Sequence, residues 1–186
     1  MTSSSFPRTP SHLQKKTVQV LLRGGQSLEG TIHIPEGLPL LNFLGGKRYF
    51  LNLTSVRKTG APAAEEPVDH LSLRLSNLVW VIPMDVTLHV SNAASPTDSS
   101  RMVELQLVDG LTLSVNLEVA EEQRMSDFLD ANPGFLPLWS ARVMKTSRTI
   151  ERLAVNQGAI LAIREVKGGF SEERDGSGED QNRVAF

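Results

Sequence analysis

The chain has 186 residues, of which 40% are hydrophobic and 22% charged, with a formal net charge of -2 and no cysteine. These proportions are ordinary for a soluble globular protein, and the missing cysteines exclude disulfides, thiolate nucleophiles and thiolate metal sites. No apolar run approaches the roughly 20 residues that a membrane-spanning helix needs. Residues 1–16 also lack the apolar segment of an export signal. We therefore expect a cytoplasmic protein without membrane insertion.

The chain resembles itself when it is shifted by 85 positions. Residues 17–58 then align with 102–143 without a gap, and 12 of the 42 aligned positions are identical. Most identities fall at apolar or glycine positions, where a shared fold constrains the residue most strongly. The sequence therefore predicts a tandem duplication. Its expected parts are a disordered tail 1–14, a first repeat 15–90, a linker 91–100, a second repeat 101–167 and a disordered acidic tail 168–186.

Each predicted repeat opens with a β-hairpin. Apolar and polar residues alternate through 18–23 and 28–34, and again through 103–108 and 113–119, which is the period of a half-buried strand. The turns between these strands are Gly24-Gly25 in the first repeat and Asp109-Gly110 in the second. Asp-Gly between two alternating runs is a strong two-residue hairpin signal.

A short helix and three strands follow the hairpin. The apolar spacing at 40–44 and 125–129 predicts one or two helical turns, capped near Ser126-Asp127 and ended by Gly45-Gly46 and by 132–134. A third strand follows, in which Pro137 predicts an edge or bulge because proline donates no ladder hydrogen bond. A final pair of strands joined by a tight turn closes each repeat.

The fold class predicted from these elements is mainly β. It consists of two tandem small partly open β-barrels of about five strands each, with one short helix per repeat. In the second repeat, the apolar residues of "RMSDFLDANPGFLPLW" are expected to form a lid over the hairpin; they are Phe128, Leu129, Phe135 and Leu136.

This arrangement resembles the Sm-like and SH3-like small barrels. The resemblance lies in the glycine-containing hairpin turn, the central Gly30 of the second strand and the tightly turned final pair. The chain is also similar to an uncharacterised class of bacterial β-rich domains that carry a run like "RMSDFLDANPGFLPLW", and that similarity implies no known activity. The residues by which Sm proteins contact RNA are not carried over, because those regions read "IPEGLPLLNFL" and "RLSNLVW" here.

No catalytic, cofactor-binding or metal-binding residues are predicted. The four histidines lack metal-ligand spacing, and no nucleophile elbow, Walker loop or dinucleotide fingerprint occurs. The acidic residues Glu121, Glu122 and Asp127 suggest a carboxylate pair or a hard-cation site. The favourable effect of negative charge at the start of a helix explains them as well. The sequence therefore predicts a protein that is not an enzyme and holds no cofactor.

The two predicted repeats differ in charge. Residues 15–58 contain seven basic and two acidic residues, a net +5, whereas 101–145 contain four basic and seven acidic residues, a net -3. Drift on solvated surfaces is one explanation. The other is charge complementarity with a partner, since electrostatics governs partner choice more than affinity. Contact between the basic and acidic parts of different copies would be head to tail and would form a ring or a filament.

The function predicted from these features is a non-enzymatic protein-interaction adaptor or assembly subunit. It would use exposed strand edges and the opposite-charge faces, with another protein or the chain itself as partner. The candidate partner-binding residues are Lys47, Arg48, Tyr49, Arg57, Lys58, Glu121, Glu122 and Asp127. The alternative is nucleic-acid binding by the basic first repeat, because an aromatic ring beside two cations suits base stacking and phosphate neutralisation.

Overall fold

A computed structural model describes residues 12–62, 64–92, 100–120 and 122–166. The described residues form ten strands and two short α-helices, with five strands and one helix in each half of the chain, so the mainly β prediction is confirmed. In chain order the elements are β1 Leu13–Leu22, β2 Ser27–Pro35, α1 Leu40–Gly45, β3 Phe50–Lys58, β4 Val68–Arg74, β5 Leu78–Pro83, β6 Ser100–Leu107, β7 Thr112–Glu118, α2 Met125–Ala131, β8 Phe135–Val143, β9 Arg148–Asn156 and β10 Ile160–Glu165.

The predicted tails and linker lie largely outside the described residues. The predicted acidic tail lies there entirely, as do residues 1–11 of the first tail and 93–99 of the linker. Strand β1 begins at Leu13, two residues before the predicted start of the first repeat, and β6 begins at Ser100.

The ten strands form one open antiparallel sheet in the order β10-β6-β7-β8-β9-β5-β1-β2-β3-β4. The predicted tandem of two barrels is not confirmed, because β5 of the first half pairs with β9 of the second and joins both halves in one sheet. All six residues of β5 are buried. A strand that is apolar throughout requires cover on both faces, which a place between the two halves provides.

The last two strands of each half exist as predicted, but they do not pair with each other. Strand β4 pairs with β3, whereas β5 pairs with β1. The 3-10 turn at Leu75–Asn77 carries the chain between them, and the turn at Gln157–Ala159 does the same between β9 and β10. Because β5 is apolar at every position, an interior place beside β1 buries more of it than a hairpin with β4 at the sheet edge would.

Both hairpins form at the predicted glycines, but the two-residue turn predicted from Asp109-Gly110 is wrong. The Leu107 N–H donates to the Leu111 carbonyl, and the Leu22 N–H donates to the Gln26 carbonyl, so each loop has three residues. Gly24 and Gly25 have φ values of 88° and 82°, and Asp109 and Gly110 have φ values of 61° and 65°. Glycine and aspartate tolerate this left-handed region better than most residues, which explains their place in the loops.

The helices end where predicted, and α2 begins just before Ser126-Asp127. Helix α1 ends at Gly45 with Gly46 as its C-cap, and α2 ends at Ala131. The predicted start is at Ser126-Asp127 or at the residues just before; the N-cap is Arg124, one of the preceding residues, and no side chain caps the helix. The helix starts at Met125, so Ser126 and Asp127 lie within its first turn.

Proline at position 137 lies in an interior strand that is locally an edge. Strand β8 lies between β7 and β9 in the sheet, but its ladder with β7 consists of Leu113 opposite Val143 and Ser114 opposite Arg142. Pro137 lies opposite Ala154 of β9, beyond the reach of the β7 ladder. Pro137 therefore has a strand partner on one side only, as the sequence predicts for a residue that lacks an N–H.

Two hydrophobic cores lie on either side of β5, one for each half of the chain. Leu78 and Val81 of this strand belong to the first core, and Val79, Trp80 and Ile82 belong to the second. Since one strand contributes to both cores, neither half is packed independently of the other.

The predicted lid is shared between the cores. Leu136 is fully buried in the second core, and the half-buried Phe128 and Leu129 pack against that core. Phe135 instead packs against the first core. The stretch at 124–139 therefore closes its own half and reaches across to the other.

Replacing Gly30 by alanine should destabilise the fold. A Cβ atom at Gly30 would lie 3.2 Å from Leu53 Cβ and 3.2 Å from Val56 Cγ2, closer than a packed core accommodates without a backbone shift. We expect the free energy of unfolding to fall by about 1–3 kcal/mol, measured by urea denaturation. The control is Gly45→Ala at the end of α1, where a Cβ has no neighbour within 4 Å; equal loss in both variants would contradict the packing argument.

Candidate interaction site

The first predicted site residues precede β3 in the loop after α1. Lys47 places its Nζ 4.3 Å from the centre of the Phe43 ring, and the Arg48 guanidinium carbon lies 5.9 Å from the centre of the Tyr49 ring. Phe43 is buried, whereas Tyr49 is 58% exposed. Lys47 is therefore held against the core through a cation–π contact, while Arg48 and Tyr49 face solvent together.

The structure does not bring all predicted basic residues to one place. Arg57 and Lys58 end β3, whose first residue is Phe50, so roughly 26 Å of extended strand separates them from the loop. Glu29 of β2 lies directly opposite Arg57 in the ladder. Only Lys47, Arg48 and Tyr49 form a local group, and Arg57 and Lys58 lie on a different part of the surface.

The predicted acidic residues lie near α2. Asp127 is exposed in the first turn of the helix and accepts a hydrogen bond of 3.2 Å from the Ser126 hydroxyl. Glu122 is exposed in the loop before the helix, and Glu121 lies outside the described residues. Asp127 is thus placed where the helix start favours negative charge.

Phe50 and Arg74, which the sequence analysis does not identify, lie beside this basic group. Phe50 is 50% exposed and lies opposite Arg74 in the β3–β4 ladder, and the Leu75 N–H donates to the Tyr49 carbonyl. The ladder therefore sets exposed Arg74 beside Tyr49 and Phe50. No local pattern shows this, because Arg74 is 24 positions beyond Phe50 and only the strand register places the two together. We call Lys47, Arg48, Tyr49, Phe50 and Arg74 the basic-aromatic cluster.

The two outer strands of the sheet are its open edges. Within the described residues, β4 pairs with β3 alone and β10 pairs with β6 alone. We call these strands the β4 edge and the β10 edge. Val68 on the first is 55% exposed and Leu161 on the second is 69% exposed. Such unpaired backbone groups beside apolar side chains are suited to accept a further strand.

The two halves meet at a short ladder between β5 and β9, which we call the seam. Trp80 lies opposite Val155 and Val81 opposite Ala154. Buried Asn156 donates from Nδ2 to the carbonyls of Leu75 at 2.9 Å and Leu78 at 2.8 Å. The backbone ladder is brief, so side chains supply much of the bonding between the halves.

Arg23 and Asp109 add polar contacts to the seam. The Arg23 guanidinium donates to the carbonyls of Ser76 and Gly158, which belong to different halves. The Gly24 N–H donates to the Asp109 carboxylate at 2.8 Å. The turn of the first hairpin is thereby fixed to the turn of the second.

Two grooves flank the seam. One, of about 540 Å³, is lined by Leu44, Lys47 and Leu75 of the first half and by Pro133, Phe135 and Asn156 of the second, among others. The other, of about 460 Å³, includes Trp80, Asp109 and Arg148. Neither groove contains a nucleophile with a neighbouring base, so their shape offers binding surface without a catalytic arrangement.

Ionisable groups give little support for chemistry. Among the described residues, no three His, Asp or Glu side chains are close enough to share a metal ion. Asp85 has a lowered pKa because the side chain and the backbone N–H of Thr87 donate to its carboxylate, with Lys16 nearby at 3.4 Å. This arrangement fixes the loop after β5 to β1 and serves packing.

The structure describes no helix long and apolar enough to cross a membrane. No family model matches the chain, and no curated protein and no solved structure matches it significantly. The resemblance to Sm-like and SH3-like barrels and to a bacterial domain class therefore stays a prediction.

Replacing Asn156 by alanine should weaken the seam. The Leu75 and Leu78 carbonyls would lose a donor and the Gly158 N–H would lose its acceptor, although Leu75 would keep the N–H of Leu78. Leaving such groups unsatisfied at a partly buried site costs about 1–3 kcal/mol. We expect that loss in the free energy of unfolding, measured by chemical denaturation. Asn116→Ala, at an exposed position of β7, is the matched control, and a loss at Asn156 no larger than that at Asn116 would show that the seam does not depend on this amide.

Proposed function

We propose that the chain is a non-enzymatic protein-interaction subunit, an adaptor or an assembly component built from two duplicated units of five strands each. It binds protein through its sheet edges, and the opposite charge of its two halves contributes to partner choice. The observation that supports this most is the pair of open edges at β4 and β10, each with an exposed apolar side chain.

The edges support a binding role because both strands carry exposed apolar side chains and no proline, although the ladder of β10 with β6 shifts register between Ile160 and Ala162 and β4 carries Asp69 and Arg74. Edge strands in monomeric proteins are commonly protected by inward-pointing charges, proline, bulges or covering segments. The β10 edge begins Ile160-Leu161-Ala162-Ile163 without a charge or a proline. The β4 edge contains Leu71 and Leu73 and no proline. Strand addition at such an edge obtains affinity from backbone hydrogen bonds and specificity from alternate side chains.

The charge difference supports a second element of the proposal. The basic-aromatic cluster lies beside the β4 edge, and acidic Asp127 and Glu122 lie in the other half near α2. Surface charges of opposite sign increase association rates and disfavour wrong partners. Partner choice is therefore expected to depend on salt concentration, whereas strand pairing itself is not.

A charged side chain on either edge should abolish protein binding. We expect tagged protein with Val68→Lys or Leu161→Lys to lose a nuclease-resistant partner that the unaltered chain captures from native extract, because lysine on an edge strand opposes pairing. Val86→Lys is the control, since Val86 is 78% exposed but lies in the loop after β5, outside the strands. Equal capture by all four proteins would remove the edges from the proposal.

Nucleic-acid binding is the second candidate, favoured by the basic-aromatic cluster. Lys47, Arg48 and Arg74 supply three cations, and Tyr49 and Phe50 are 58% and 50% exposed. Exposed aromatic rings between cations are the combination that single-stranded nucleic acid uses for stacking and phosphate contact.

A salt titration separates the two candidates. If the cluster binds single-stranded RNA or DNA, the logarithm of the association constant should fall with the logarithm of salt concentration with a slope of about -2, given about 0.7 for each of three phosphate contacts. Fluorescence anisotropy of a labelled oligonucleotide measures it. Lys47→Glu with Arg48→Glu should abolish binding, whereas Arg57→Glu with Lys58→Glu, the same charge change at the other end of β3, should leave most of it. Absent binding, or equal loss in both double variants, would exclude this site.

A further inference from the structure

The elements of the second half repeat those of the first at constant shifts. Strand β8 occupies the positions of β3 shifted by 85, since Phe50–Lys58 corresponds to Phe135–Val143. From the next strand onward the shift is 82. Phe50 and Phe135 correspond, and their ladder partners are Arg74 and Asn156, which are 82 positions apart. Strand β5 at Leu78–Pro83 then corresponds to β10 at Ile160–Glu165. Each residue at an open edge therefore has a counterpart within the seam.

The seam joins β5 to β9, and the open edges are the counterparts of these same two strands. Strand β10 corresponds to β5, and β4 corresponds to β9. We propose that the partner of the open edges is a second copy of this chain, whose β4 edge pairs with the β10 edge of the first as β9 pairs with β5. This inference rests on the proposed function, because it names the protein that the edges bind.

The seam also fixes the register of the contact between copies. The seam pair Trp80–Val155 corresponds to Ala162 of one copy opposite Leu73 of the other. The seam pair Val81–Ala154 corresponds in the same way to Ile163 opposite Ser72. A small residue faces a larger one at each of the two new positions. The strands would run antiparallel, as they do in the seam.

Exposure at the edges matches the lack of a neighbour. Val79 in the seam is 0% exposed, whereas its counterpart Leu161 on the β10 edge is 69% exposed. Phe135 packs against the core of the other half, whereas its counterpart Phe50 is 50% exposed. A second copy would bury both apolar side chains in the manner that the seam buries their counterparts.

The helices show the same asymmetry. Helix α1 lies against β8 of the other half, and its residues Phe43 and Leu44 are 7% and 1% exposed. The counterparts Phe128 and Leu129 of α2 are only half-buried. In the proposed contact, β3 of the second copy, which begins with Phe50, would cover α2 as β8 covers α1.

A polar contact has its counterpart as well. Asn156 donates to the carbonyls of Leu75 and Leu78 across the seam. Its counterpart at the β4 edge is the exposed Arg74, and the corresponding carbonyls are those of Gln157 and Ile160 in the other copy. Arginine has five N–H donors and can satisfy both.

The contact is head to tail, because a β4 edge meets a β10 edge and each copy keeps one edge of each kind. Such a heterologous contact closes into a ring when the rotation between copies returns to the start, and otherwise extends as a filament. A closed ring would leave no open strand, which removes the exposure that makes edges prone to aggregation.

Engineered cysteines test the register, since the chain has none of its own. We expect the double variant Ser72→Cys with Ile163→Cys to form a reducible ladder of multimers on oxidation, because directly opposite residues of antiparallel strands lie within disulfide reach. Asp69→Cys with Ile163→Cys is displaced by three residues, about 10 Å along the strand, and should stay uncrosslinked. Equal crosslinking of both double variants, or dimers from either single variant, would overturn the proposed pairing.

Mixing two blocked variants tests the direction. Phe50→Asp removes the β3 side chain that would cover α2 of the other copy beside the β4 edge, and Leu161→Asp blocks the β10 edge. Light scattering should therefore find each variant alone at the monomer mass of 20.4 kDa. An equimolar mixture should form a dimer of one copy of each and nothing larger. Val86→Asp, in the exposed loop after β5, is the control and should assemble like the unaltered chain, and unchanged circular dichroism shows that the variants fold. A monomeric unaltered chain, or a mixture that stays monomeric, would overturn self-assembly.

These outcomes are separable from those of the proposed function. If the chain is monomeric but its edge variants lose a different captured protein, the edges bind protein and the second copy is the wrong partner. If neither capture nor self-assembly depends on the edges, both proposals fail.

Discussion

Strand β5 contacts β1 on one side and β9 on the other, and this double pairing makes one sheet of two halves. Its residues are divided between two cores, with Leu78 and Val81 in the first and Val79, Trp80 and Ile82 in the second. Burial of this strand on both faces removes its apolar side chains from water and links the two cores. The strand order of the sheet, the grooves beside the seam and the two open edges all follow from the position of β5.

The local features of this fold follow directly from the sequence. Alternation predicts the strands, and glycine or aspartate at positions of positive φ predicts both hairpin turns. Long-range strand pairing does not follow from local sequence. A tight turn between β4 and β5 predicts a hairpin, although the two strands pair with different partners. The one available signal is the apolar run "LVWVIP", which favours a strand covered on both faces, whereas its counterpart "ILAIRE" ends in charge.

The candidate site was predictable only where it is contiguous in the chain. Lys47, Arg48 and Tyr49 are neighbours in sequence, and the structure keeps them together. The sequence predicts Arg57 and Lys58 as part of the same basic region, but strand β3 places them at its opposite end. Phe50 and Arg74 complete the cluster through the β3–β4 register, which depends on the length of the connection between those strands and on no local motif.

Hydrogen exchange at β5 tests the central claim that this strand joins both halves in a single sheet. In Leu161→Asp protein, with the β10 edge blocked, the amides of residues 78–82 should exchange far more slowly than those of Ile160–Glu165, although the two strands hold corresponding positions. Protection of that kind requires β5 to be paired on both sides and opened only by global unfolding. Exchange at β5 as fast as at β10 would contradict the seam and, with it, the inference drawn for the open edges.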